Sequence, residues 1–246
     1  MADSRSAFLT AEWRHLAMLN FEVDPALVRP LVPAGTEIDD YRGRTFVSLV
    51  GFMFLNTRVL GIAIPRHRDF EEVNLRFYVR RRTSEGWRRA VVFVKELVPR
   101  AAIAMVARVL YGENYVAVPM SHRITVAGQG GAAIRQVSYR WQFEGRENEI
   151  RVTARGDARE IAAGSQEEFI TEHYWGYTRR RRGGTLEYQV AHPRWHAWTA
   201  LEARLEGGDI VRLYGERFAH YLNGPPASAF LADGSEVSVF KGVRLQ

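Results

Sequence analysis

Residues 70–98 constrain the fold most. FEEVNLRFYVRRR (70–82) and WRRAVVFVKELV (87–98) are two long runs rich in branched and aromatic residues, joined through Ser84, Glu85 and Gly86. Such a pair reads as a β-hairpin whose side chains alternate between two faces. More strands are expected over 44–54, 137–143, 150–153, 186–190, 198–205 and 237–240. Helices are fewer and short. Asp24 caps one that starts at Pro25 and ends at Pro33. Ser165 and Glu168 have the spacing of a capping box. Residues 213–222 suit a further short helix. PRAAIAMVARVL (99–110) suits a buried one, being small or apolar on most faces. Strands outnumber helices and most connections are hairpin-like, so the expected class is a β-rich, antiparallel α+β fold. With no linker and no repeat, one domain is expected over 1–246.

Hydrophobic residues make up 46% of the 246, enough for a substantial core. The chain has no cysteine, which excludes disulfides, thiolate nucleophiles and cysteine-ligated metals. The N-terminus carries charges where a signal peptide needs an apolar run, and no run of about 18 apolar residues occurs. A cytoplasmic protein without a membrane partner is therefore expected. The formal charge is +6, and Lys95 and Lys241 are the only lysines. The arginines are spread over nearly every segment, which argues against a nucleic-acid partner.

Several motifs tempt and fail. His67 to Asn74 matches HRDxxxxN, but no lysine precedes it and no DFG follows. His192 and His196 are four apart, yet Pro193 interrupts helix and no HExxH glutamate is present, so no metal is expected. Gly128, Gly130 and Gly131 form no phosphate loop, and no GxSxG elbow exists. Lys95 sits in an apolar strand beside Glu96, where a desolvated lysine could form imines. On the first strand of the hairpin, Glu72, Asn74 and Arg76 share one face, opposite Glu71, Val73 and Leu75. That polar triplet is either the wet side of a sheet or the wall of a pocket.

WRHLAMLNFEVDPALVRPLVP (13–33), FEEVNLR (70–76), LYGENY (110–115) and EHYWGY (172–177) together resemble the bacterial YqjF-like family, a family of unknown function. The likeness covers nearly the whole chain. The family is similar, more distantly, to acetoacetate decarboxylase. The resemblance implies a large, curved, cone- or barrel-like antiparallel sheet around a central cavity, with a few short helices. It also implies site residues. Arg14 takes the place of a decarboxylase arginine, ahead of Asp24 and Val32-Pro33. Glu72, two residues after Phe70, takes that of a pocket glutamate. Ala102-Ile103-Ala104 and Arg108-Val109-Leu110 match the approach to the imine-forming lysine, but Tyr115 fills the lysine's position.

Tyrosine cannot form an imine with a ketone, so Schiff-base decarboxylation is not expected. The reading that remains is an enzyme without a cofactor, moving a proton on a small carbonyl or carboxylate compound. Hydration–dehydration, aldol-type and cyclisation chemistry all fit. Arg14 would bind the anionic group, Glu72 would move the proton, and Tyr115 or Tyr111 would polarise the carbonyl. Asn74, Arg76, Glu172 and His173 are expected to complete the pocket. The rival reading is a binding or sensing domain that kept the pocket without catalysis. Self-association is left open.

Overall fold

The computed structural model describes residues 6–100, 114–180, 183–208 and 210–245. Strand β1 (Leu9–Val23) leads into helix α1 (Pro25–Val28) and one 3-10 turn (Arg29–Leu31). Next come β2 (Glu37–Ile38), β3 (Thr45–Val59), β4 (Ile62–Ala63), β5 (Phe70–Thr83) and β6 (Gly86–Val98). Strands β7 (Tyr115–Ala117), β8 (Met120–Ala127), β9 (Ile134–Phe143), β10 (Arg146–Arg155) and β11 (Arg159–Glu160) precede helix α2 (Gln166–Thr171). Strands β12 (Trp175–Arg179), β13 (Thr185–Ala191) and β14 (His196–Gly207) follow. The chain ends with α3 (Ile210–Tyr214), α4 (Glu216–Leu222), β15 (Ser228–Val239) and β16 (Val243–Arg244).

The helix starts follow the expected chemistry. Asp24 Oδ1 accepts from the Ala26 amide at 2.7 Å, and Ser165 Oγ accepts from the Glu168 amide at 3.1 Å. Glu168 reaches back to the Gly164 amide at 2.6 Å, one residue beyond the usual partner of a capping box. The helix expected over 213–222 is two helices, because Gly215 turns the chain at φ +85. The helix expected over 99–110 lies, from residue 101 on, outside the described residues.

The strands pair in the order β13-β12-β6-β5-β3-β1-β15, and β15 closes the ring by pairing with β13 at Val190 and Val239. Every pairing is antiparallel except those of β6 with β12 and with β7. The result is the cone-like sheet that the resemblance implied. From β15 the sheet continues through β14, β10 and β9 to β8 and folds back over the cone's outer face. That docking needs a residue without a side chain in β3. The Tyr139 ring from β9 lies over Gly51, where a Cβ would stand 2.5 Å from it, and the Tyr139 hydroxyl donates to the His15 carbonyl at 2.8 Å.

Strand alternation builds two cores from one sheet. Ala17, Leu19, Leu49, Val73, Leu75 and Leu97 face outward against β9 and β10. Leu16, Met18, Val50, Phe52, Phe54 and Phe70 face into the cone. Among the described residues no helix is long and apolar enough to cross a membrane.

Candidate functional site

The cone encloses a cavity of about 210 Å³. Most of its wall is apolar, with Trp13, Phe52, Phe54 and Phe70 packed edge-on, tilted or stacked at 4.7–5.9 Å between ring centres. One stripe is polar. Strand β5 keeps its period of two, so Glu72, Asn74 and Arg76 all face the cavity.

Glu72 is 2% exposed. Its Oε1 accepts from Asn74 Nδ2 at 3.0 Å, and its Oε2 accepts from the Tyr115 hydroxyl at 3.2 Å. Burial raises its pKa from 4.5 to about 7, against the pull of those two hydrogen bonds and the Arg76 charge. Tyr115 comes from β7, which runs parallel to β6 with Tyr115 opposite Glu96. Burial, then the neighbouring Glu72 and Glu96, push its phenol well above its ordinary range, so it remains a proton-bearing donor. Glu96, 1% exposed, also lines the cavity. Two buried carboxylates thus flank one phenol.

At the other end of the stripe, Arg76 donates to the Ile170 carbonyl at 3.3 Å. His173 stands near it, buried, with its ring 4.7 Å from Tyr78. Burial first, then the charges of Arg89 and Arg76, hold His173 well below its ordinary pKa, so it is neutral. His192 lines the same space, stacked on Trp195 at 4.5 Å, and burial lowers its pKa too.

The model of the DUF2071 family, described as an uncharacterized conserved protein, matches residues 10–236. The chain belongs to the DUF2071 family. It is 29% identical over 201 residues to uncharacterized protein YqjF of Bacillus subtilis (strain 168), covering 79% of this chain and 75% of that one. Solved structures share the fold. The enduracididine biosynthesis enzyme MppR complexed with pyruvate superposes with a TM-score of 0.69 at 14% identity, over 100% of this chain and 93% of that one. MppR is also known complexed with the condensation product of pyruvate and imidazole 4-carboxaldehyde. An acetoacetate decarboxylase-like enzyme from Sphingomonas wittichii RW1 gives 0.68 at 15% identity, over 98% and 94%. The DUF2071 chain therefore has an acetoacetate decarboxylase-like fold.

Within this DUF2071 fold the expected residues separate. Glu72, Asn74, Arg76, Tyr115 and His173 meet at the cavity. Arg14 does not. Its neighbour Trp13 takes the inner face of β1, and Arg14 points outward, held by Glu12 at 2.9 Å and the Gly234 carbonyl at 3.1 Å. Glu172 does not line the cavity either. It ends helix α2, and the chain turns there so that Thr171 and His173 face in while Glu172 pairs with the Tyr174 hydroxyl. Trp175 lines the cavity, whereas Tyr177 bonds Glu187 at 2.6 Å on the outer side. Tyr111 lies outside the described residues. His196 is on the surface beside Asp233, apart from His192.

Lys95 is excluded by a bulge. Between the Leu75–Lys95 and Arg76–Phe93 pairs, β6 holds one extra residue. Val94 and Lys95 both face outward, Lys95 donates to the Leu213 carbonyl, and Glu96 turns inward. Glu96 is the residue that sequence reasoning passed over, since strict alternation places it opposite Phe93. Arg14→Ala is expected to leave ligand binding unchanged and to cost at most about 1 kcal/mol, as for an exposed ion pair. A calorimetric titration combined with a urea melt checks both.

Proposed function

We propose that this protein is a cofactor-independent enzyme that moves a proton on a small compound bearing a carbonyl or carboxylate group. One observation carries the reading: Glu72 faces an open cavity, is held near neutrality by burial, and forms no ion pair among the described residues. A fixed structural carboxylate would be locked to Arg76. A general base works best with a pKa close to the working pH, and Glu72 has one.

The roles follow from the bonds. Ionised Glu72 takes a proton from carbon beside a carbonyl. Tyr115 now spends its hydroxyl on Glu72. Once Glu72 carries the proton, its hold on that hydroxyl weakens, and the hydroxyl, which Glu96 also attracts, can turn to donate to the developing enolate oxygen. Asn74 holds the other carboxylate oxygen and keeps its own buried carbonyl oxygen unbonded for a ligand donor. Lys95 lies on the other side of the sheet, so the chemistry proceeds without an imine from it. MppR, which shares the fold, binds pyruvate and a pyruvate condensation product, and the proposed enolate chemistry belongs to the same broad class.

Deuterium uptake from heavy water into a panel of ketones and oxo acids, followed by proton NMR, tests this. The exchange rate should rise with pH through a midpoint of about 7, as Glu72 ionises. Glu72→Gln should lower it by about a hundredfold or more. Exchange that is equally fast in the variant would overturn the assignment.

A further inference from the structure

Two buried carboxylates of this protein are paired with arginines. Asp39 meets Arg89 at 2.8 Å and Arg80 at 3.9 Å, and Glu187 meets Arg88 at 2.7 Å and Arg81 at 3.3 Å. Arg76 is different. It is 8% exposed and lines the cavity, yet it forms no ion pair among the described residues. Its Nε is buried without a hydrogen-bond partner, and its one hydrogen bond goes to a backbone carbonyl. A guanidinium cannot escape by losing its proton, and burying one without a counter-ion is costly. An anion entering the cavity would supply the missing partner, and a carboxylate fits the planar fork.

The register fixes what that anion is attached to. Along the inner face of β5 the order is Phe70, Glu72, Asn74, Arg76. Phe54 lies opposite Phe70, Phe52 opposite Glu72, and Trp13 opposite Phe54. The aromatic box is therefore at the Phe70 end, the cation at the far end, and Glu72 between them. Four residues of strand separate the Cα atoms of Glu72 and Arg76 by roughly 13 Å. The two side chains, reaching into the cavity, shorten that gap. The cavity of about 210 Å³ exceeds the roughly 150 Å³ that holds a benzene.

We propose that the cavity takes an amphiphilic monocarboxylate, with its carboxylate on Arg76, its reacting carbon several bonds away at Glu72, and an apolar tail of about phenyl size in the Trp13–Phe52–Phe54–Phe70 box. Only the placement of the reacting carbon at Glu72 rests on the proton-transfer reading. The anion site stands on Arg76 itself. A short oxo acid such as pyruvate would leave the aromatic box empty.

The probe is 4-oxo-4-phenylbutanoate, compared by titration calorimetry with its primary amide and with pyruvate. The wild-type protein should bind the acid about tenfold or more tighter than either. Arg76→Met should bring the acid down to the level of the amide, and Arg76→Lys should keep part of the preference. Amide binding equal to acid, pyruvate binding equal to the phenyl acid, or a preference that survives in Arg76→Met would each overturn the proposal. If Arg76→Met does not fold, the three-ligand comparison on the wild type decides alone. Glu72→Gln separates the two readings: it should lose deuterium exchange and keep the acid preference. Exchange without any acid preference removes the anion site alone, and acid preference without exchange removes the proton transfer alone.

Discussion

Gly234→Ala is expected to break the pairing of β1 with β15 in the cone. A Cβ at Gly234 would stand 1.9 Å from the Trp13 carbonyl oxygen and 2.8 Å from Leu16 Cδ1. The first of these is backbone in a paired strand and cannot swing aside. Gly234 also sits at φ +78, where a side chain is strained in any surroundings. Its strand partner is Arg14, at the point where the β1–β3 register jumps between Arg14 and Ala17 and His15 takes φ +57. That bulge lets Trp13 and Leu16 face the same cavity. The cost should be about 4 kcal/mol or more, at the extreme end for one substitution. Gly35→Ala is the control, since Gly35 has a similar φ of +83 with open space around it. It should cost only about 1 kcal/mol. Urea melts of the two variants check the contrast, and equal midpoints would show that the close approach to Trp13 carries no strain.

The same bulges mark how far the site could be read from sequence. Period-two reasoning over 70–82 put Glu72, Asn74 and Arg76 on one face, and β5 obeys it because it runs from Phe70 to Thr83 with no extra residue of its own. The long hairpin, the helix caps at Asp24 and Ser165 and the cone itself were legible in the same way. They depend on alternation, on local turn chemistry and on the resemblance. The facing of Lys95 and that of Arg14 escaped the sequence for different reasons. A bulge adds a single residue to one strand, changes which face the next residues take, and has no compositional signature. In β6 it sends Lys95 out and brings Glu96 in. At Arg14 no bulge is needed to explain the error: the resemblance aligned position along the chain, while facing is set by Trp13, whose large ring takes the interior. Glu172 was misread because its helix ends on it, so its direction is set by a turn and not by strand or helix period. Gly215, in contrast, was visible as a glycine but not as the break that divides α3 from α4.

Glu72→Gln should stabilise the protein at alkaline pH while removing its chemistry. Burial raises the Glu72 pKa from 4.5 to about 7. Below about pH 4.5 the group is protonated in both the folded and the unfolded chain, and it contributes no pH dependence. As pH rises through 4.5 to 7 the unfolded chain releases the proton and the folded chain retains it, so stability falls across that window. Above about pH 7 both states are ionised and the folded protein bears the full cost of a buried carboxylate. With 1.36 kcal/mol for each pH unit of the window, that cost is on the order of 3 kcal/mol. Glutamine avoids it. Its Oε1 can accept from Asn74, and its amide can donate to the Tyr115 oxygen if the phenol proton turns toward Glu96. Thermal melts of the two proteins should coincide near pH 4 and diverge by pH 8, with the variant the more stable. A wild-type protein whose stability is flat between pH 4 and 8 would mean that Glu72 titrates at its ordinary value and is not poised as a base. A variant less stable at every pH would mean that the carboxylate is structural. The expected pattern, stability gained where activity is lost, is that of a carboxylate kept buried for its chemistry.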